Sequence, residues 1–101
     1  TDATLDRVVE EAGIPVVVDF YADWCGPCKM MAPDMDAFAA RHAGTYFAAK
    51  LDTDRSPLTA QRFAVRSIPT VIRFERGAKT AERTGAMNLA EIEAFAGVPV
   101  K

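Results

Sequence analysis

Long hydrophobic runs, an excess of one charge and clusters of metal-ligating residues are all missing from this chain of 101 residues. Its most apolar stretch, Val16, Val17 and Val18 with Phe20 and Tyr21 beyond Asp19, falls far short of the roughly 20 residues needed to span a bilayer. Twelve Lys and Arg stand against 14 Asp and Glu, a net charge of −2, so there is no basic surplus for a phosphate backbone or an anionic membrane surface. Neither nucleic acid nor a membrane is expected as a partner. No repeat, low-complexity tract or linker-like shift in composition divides the chain, which reads as one domain over residues 1–101. Half of the residues are hydrophobic, enough for a core without metal or disulfide staples. Residues 1–11 mix charges at helical spacing and lack the basic patch and apolar block of a secretory signal, so the expected compartment is the cytoplasm.

Cysteine is scarce, and the two present are close together at Cys25 and Cys28. In a reducing compartment such a pair is more often catalytic or metal-binding than a structural bridge. Zinc requires about four protein ligands, or three in a catalytic site. The chain adds only His42, at the far end of a predicted helix, so no metal is expected. A structural disulfide closing so short a loop removes little unfolded-state entropy. His42 itself reads as a helix-end residue in favourable contact with the helix dipole.

Periodicity gives the elements. Leu5, Val8, Val9 and Ala12 mark one face of a first helix, with Asp2 or Thr4 as N-cap and Gly13 as terminator. The β-branched and aromatic run after Pro15 lacks alternation, which predicts a central strand buried on both faces. Residues 25–42 read as a long helix kinked at Pro33, and residues 45–51 as a second strand. Ser56 and Pro57 open a short helix ending near Val65. Residues 70–74 and 79–84 form an antiparallel hairpin around Arg76 and Gly77. Asn88 and Glu91 cap a last amphipathic helix that Gly97 stops. Helices between the early strands and a late hairpin together predict an α/β fold, a mixed central sheet flanked by helices.

Trp24, Cys25, Gly26, Pro27, Cys28 and Lys29 fall where the first strand turns into the long helix. Cys25 at the helix N-terminus lies beside free amides that stabilise a thiolate, and Gly26-Pro27 keeps the two sulfurs within bridging reach. Attack by Cys25 on a substrate disulfide, followed by Cys28 on the mixed disulfide, would reduce that substrate. Cys28 is expected to be the less exposed, screened by Trp24, Pro27 and the loop at Pro69. Asp19 interrupts an apolar strand, where burial without a partner is expensive. Lys50 could approach it if the two strands pair, and a buried acid near Cys28 would accept the resolving thiol's proton. The bland alternative is an edge strand with Asp19 facing water.

At these positions the sequence resembles the thioredoxin family. Asp19, Phe20, Ala22, Trp24 and the Cys25-Gly26-Pro27-Cys28-Lys29 run look like its active-site signature, and the likeness extends from about Leu5 to Gly97. Pro33 matches the proline of the active-site helix. Ser67-Ile68-Pro69-Thr70 resembles the cis-proline loop, which predicts a cis Ile68–Pro69 bond opposite Cys25. Gly77, Gly85 and Ala86 match late glycine positions, and the family's buried acid and lysine fall on Asp19 and Lys50. The resemblance implies a thioredoxin fold and reduction of protein disulfides, with no cofactor beyond the redox-active disulfide and with electrons from an NADPH-dependent thioredoxin reductase. Substrate would meet Trp24, Gly26, Pro27, Ile68, Pro69, Gly85 and Ala86. An isomerase of the protein disulfide isomerase type usually carries a polar or His residue at the position of Pro27, and a non-enzymatic scaffold would bind partners without needing either cysteine.

Two departures stand out. Tyr21 occupies a position where the family generally has tryptophan, and the first strand of the usual fold is expected to be missing, because the chain starts almost at the first helix. The stretch from Arg66 to Pro69 also looks like two-domain members that carry an N-terminal zinc-binding segment. In the family the first strand pairs with residues 45–51, so this edge is expected to be exposed. Its expected consequence is a dimer through the edge, a covering segment, or reduced stability.

Overall fold

The structure, a computed structural model, describes residues 13–99. The first helix expected around Leu5–Ala12, with its N-cap at Asp2 or Thr4, lies outside the described residues; Gly13, its expected terminator, is the first residue described. Four strands follow: β1 (Val16–Tyr21), β2 (Phe47–Asp52), β3 (Thr70–Glu75) and β4 (Ala78–Thr84). Three helices, α1 (Gly26–Arg41), α2 (Pro57–Arg62) and α3 (Leu89–Ala96), alternate with them or follow. The sheet order is β2-β1-β3-β4, with β1 parallel to β2 and antiparallel to β3.

β1 is the central strand its composition predicts. Val16, Val18 and Phe20 pack on one face with Leu51, Ile72 and Phe74, joined by half-buried Phe63 and Val65 just past α2. Val17 points to the other face, among Met31, Met35 and Phe38 of α1, Val71, and Ile92 and Ala96 of α3. Because strand side chains alternate, Asp19 shares the face of Val17 and looks toward α1. The reading of Asp19 as a solvent-facing edge residue is thereby excluded: it is 2% exposed. Cys28, Met31, Met35 and Phe38 form the buried stripe of α1, which runs as one helix through the exposed Pro33.

Several boundaries differ for local reasons. β2 starts at Phe47 rather than residue 45, because the His42 carbonyl accepts from both Thr45 and Tyr46 amides and keeps the chain in a turn. Ser56 sits at the N-cap of α2 without a side-chain capping bond. That helix stops at Arg62, not near Val65. Ala64 adopts φ 56°, and the Val65 amide bonds back to the Ala60 carbonyl, a helix stop made without the glycine that would have signalled it. The β3–β4 turn places Arg76 at φ 52° and Gly77 at φ 81°, the primed geometry that matches strand twist. α3 carries a complete capping box between Asn88 and Glu91 and ends on Gly97 at φ 94°.

Among the described residues β2 is an outermost strand, paired only with β1, and Phe47 on it is 43% exposed. No helix among these residues is long and apolar enough to cross a membrane.

Candidate active site

The site forms where β1 gives way to α1. The Cys25 amide bonds the Ala22 carbonyl, closing the turn that makes Cys25 the N-cap. With Gly26 and Pro27 opening the helix, no amide hydrogen is wasted at Pro27. Cys25 and Cys28 are joined in a disulfide with Cα atoms 5.2 Å apart. The Cys28 amide donates to Cys25 Sγ at 3.2 Å, so a helix N-terminal N–H is aimed at that sulfur.

Opposite lies the loop before β3. The Ile68–Pro69 peptide is cis, and the Ile68 carbonyl oxygen is 3.8 Å from Cys25 Sγ. The loop is fixed at both ends: Thr70 Oγ1 donates to the Ser67 carbonyl at 2.5 Å, and the Gly85 amide donates to the Pro69 carbonyl at 2.9 Å. Gly85 adopts φ 102°, a conformation that side-chain-bearing residues rarely take. Ala22, Cys25, Cys28, Tyr21 and Ile68 thus form one small cluster. Ala86 stands apart from it, on a shallow groove with Met30, Met31, Asp34, Met87 and Asn88.

Exposure does not separate the two sulfurs as expected. Cys25 is 4% and Cys28 3% exposed, because the bond between them holds both in the same cluster against Ile68. What distinguishes them is helix position, with Cys25 at the cap and Cys28 within the first turn. Trp24 was expected to screen Cys28, yet it is 70% exposed and its Nε1 donates to Asp54 Oδ2 at 2.9 Å. Asp54 is in turn held by Asp52, whose Oδ1 accepts the Asp54 amide.

Beneath Cys28 is a cavity of about 180 Å³ lined by Asp19, Tyr21, Ala22, Asp23, Cys28, Lys29, Ala32 and Lys50. Burial pushes the Asp19 carboxyl up to about 6, against the opposing pull of Lys50, and Asp36 adds to the rise. Asp19 Oδ1 is buried with no hydrogen-bond partner among the described residues. The β1–β2 register sets Lys50 directly opposite Asp19, as pairing of the strands required. The lysine does not complete the approach, however: its Nζ is 2.9 Å from Asp36 Oδ1 on α1. Asp36 was invisible to sequence reasoning, since its relation to Lys50 depends on how α1 lies across β2.

His42 is the α1 C-cap, as its helix-end reading suggests, but its main partner is remote. Nε2 is 2.6 Å from Glu93 Oε2 on α3, and the ring packs on Phe38 and Tyr46. This contact, with help from Arg41, holds Glu93 below the usual carboxylate range. Among the described residues no three His, Cys, Asp or Glu side chains gather to hold a metal. The redox group of the site is the cysteine pair itself.

A bridgeable Cys-x-x-Cys at a strand-to-helix junction, capped by a helix amide and faced by a cis-proline loop, defines a thiol–disulfide oxidoreductase. The family model for Thioredoxin matches residues 1–97. Among similar proteins are the M-type chloroplastic thioredoxin of Pisum sativum, 45% identical over 86 residues, and thioredoxin 1 of Synechococcus elongatus, 42% identical over 87. The thioredoxin of Allochromatium vinosum is 41% identical over 95 residues. These matches cover 85%, 86% and 94% of this chain, and 50%, 81% and 89% of the respective relatives. The chain belongs to the thioredoxin family.

Proposed function

We propose that this protein is a general protein-disulfide reductase in which Cys25 attacks and Cys28 resolves. The Cys25 thiolate attacks one sulfur of a substrate disulfide, forming a mixed disulfide and expelling the other sulfur as a thiolate that takes up a proton. Cys28 gives its proton to the Asp19 carboxylate across the shared cavity and attacks Cys25 Sγ. The second substrate thiolate leaves, and the Cys25–Cys28 disulfide forms. Two electrons have passed to the substrate.

The observation that carries this reading is the Cys28 amide aimed at Cys25 Sγ, with the Asp19 cavity on the Cys28 side. Substrate would lie along Trp24, Gly26 and Pro27 and against the Ile68–Pro69 backbone, pairing as an added extended strand, with Gly85 holding that loop and Ala86 further along the same side. Two electrons from NADPH would return through a thioredoxin reductase. The proposed location is the cytoplasm, where a dithiol persists. The test is NADPH-coupled reduction of a protein disulfide in the presence of a thioredoxin reductase. Steady NADPH oxidation is expected for the unaltered protein and only background for Cys25→Ser; equal rates would overturn the assignment.

Association through the β2 edge belongs to the same proposal, supported by the outer position of β2 among the described residues and by exposed Phe47. Sedimentation is expected to show a dimer that Phe47→Lys weakens. A concentration-independent monomer would remove it.

A further inference from the structure

Asp36 and Lys50 form an ion pair whose side chains are 67% and 41% exposed. Pairs this exposed contribute little to stability, so its consequence lies elsewhere. Lys50 is the cross-strand partner of Asp19, and adjacent strands lie about 4.8 Å apart. A flexible four-carbon stem rooted there can carry its ammonium toward either carboxylate. One of the two is exposed and occupied; the other is buried, with an oxygen that no described residue satisfies. The two acids therefore compete for one cation.

We infer that Asp36 is a positioning residue: it holds the Lys50 ammonium off the buried Asp19 carboxylate, and so governs the pH at which that carboxylate gives up its proton. The remaining groups around Asp19 do not substitute for this arrangement. Tyr21 and Asp23 line the cavity from β1 and the loop after it, Cys28 and Lys29 from α1, and Lys50 from β2. The β3 neighbour is Val71, which carries no charge. Asp36 acts on Asp19 in two ways of the same sign, by its own negative charge and by withholding the cation. Only the second depends on Lys50. The inference rests on the reading of Asp19 as proton acceptor for Cys28, and deepens it by identifying what sets the pH range of resolution.

The experiment follows the Asp19 side-chain carboxyl by carbon NMR across a pH titration of the oxidised protein. Asp36→Asn is expected to lower the Asp19 midpoint by about half a pH unit or more, and Lys50→Met to raise it. In the Lys50→Met background, Asp36→Asn should move the midpoint by less than half as much, a coupling that a double-mutant cycle isolates. Asp36→Glu should restore the original midpoint. Equal movement with and without Lys50, or no movement in Asp36→Asn, would overturn the inference. A second readout is the pH profile of mixed-disulfide resolution, which should move toward acid in Asp36→Asn by the same amount as the midpoint. If the midpoint moves and the profile stays, Asp19 is not the acceptor: the proposed reading of Asp19 falls, while the control of Lys50 by Asp36 stands.

Discussion

Cys28→Ser is expected to accumulate stable mixed disulfides with oxidised protein substrates, whereas Cys25→Ser traps almost none. Attack requires a thiolate, and among the described residues it is Cys25 Sγ, not Cys28 Sγ, that receives a helix N-terminal amide, from Cys28 at 3.2 Å. A hydrogen bond to a charged acceptor contributes about 1.5–3 kcal/mol, and the helix terminus roughly a further 0.3–1 kcal/mol. Serine at position 25 keeps the cap but has no nucleophile to offer a disulfide. Serine at position 28 leaves attack intact and removes the sulfur that would close the cycle. Because both sulfurs are equally buried in the oxidised protein, the asymmetry must come from this electrostatic placement rather than from exposure. Non-reducing electrophoresis and mass spectrometry of each variant after exposure to an oxidised substrate measure the difference. Better trapping by Cys25→Ser would reverse the assignment.

Asp19→Asn is expected to make the protein more stable at neutral pH and slower in resolution. Burial raises Asp19 from 3.8 to about 6. Below 3.8 the acid is neutral in both folded and unfolded chains and contributes nothing. Between 3.8 and about 6 the unfolded chain ionises while the folded one resists, so stability falls as pH rises. Above about 6 the loss is constant, on the order of 3 kcal/mol. Asparagine keeps the shape without the charge and should recover about 1–3 kcal/mol at pH 7, part being lost because its amide also lacks partners. The gain should vanish near pH 4. Release of the mixed disulfide should slow about tenfold or more with its formation little changed, since in the proposed mechanism the resolving thiol alone gives its proton to this group. Urea denaturation at pH 4 and 7, with stopped-flow kinetics of both steps, checks the pair of effects. A variant less stable than the parent at pH 7 contradicts the burial argument, and unchanged release contradicts the proton transfer.

The elements were legible because their causes are local. Three consecutive valines and two aromatics favour a strand whatever surrounds them, and the absence of alternation already required cover on both faces. Asn88 and Glu91 are three residues apart, the span of the capping box they form. The hairpin at Arg76 and Gly77 followed from the short separation of two strand-forming runs. The α2 stop was missed because Ala64 adopts a left-handed conformation that its residue type does not advertise.

By itself the sequence determined where the redox-type cysteine pair lies. The cysteine spacing, the Gly-Pro between them and the strand-to-helix junction are all properties of one short segment, and they dictate a bridgeable pair with one sulfur at a helix N-terminus. Only the tertiary structure decided how that pair is surrounded. Ile68 faces Cys25 across 43 residues of chain, and Glu93 reaches His42 across 51. Lys50 lies opposite Asp19 through strand register yet bonds Asp36 through the lie of α1 over β2. A charged side chain settles on whichever partner the packed elements bring within a few ångströms, and electrostatic energy depends on that separation and on burial. Neither quantity is set by distance along the chain.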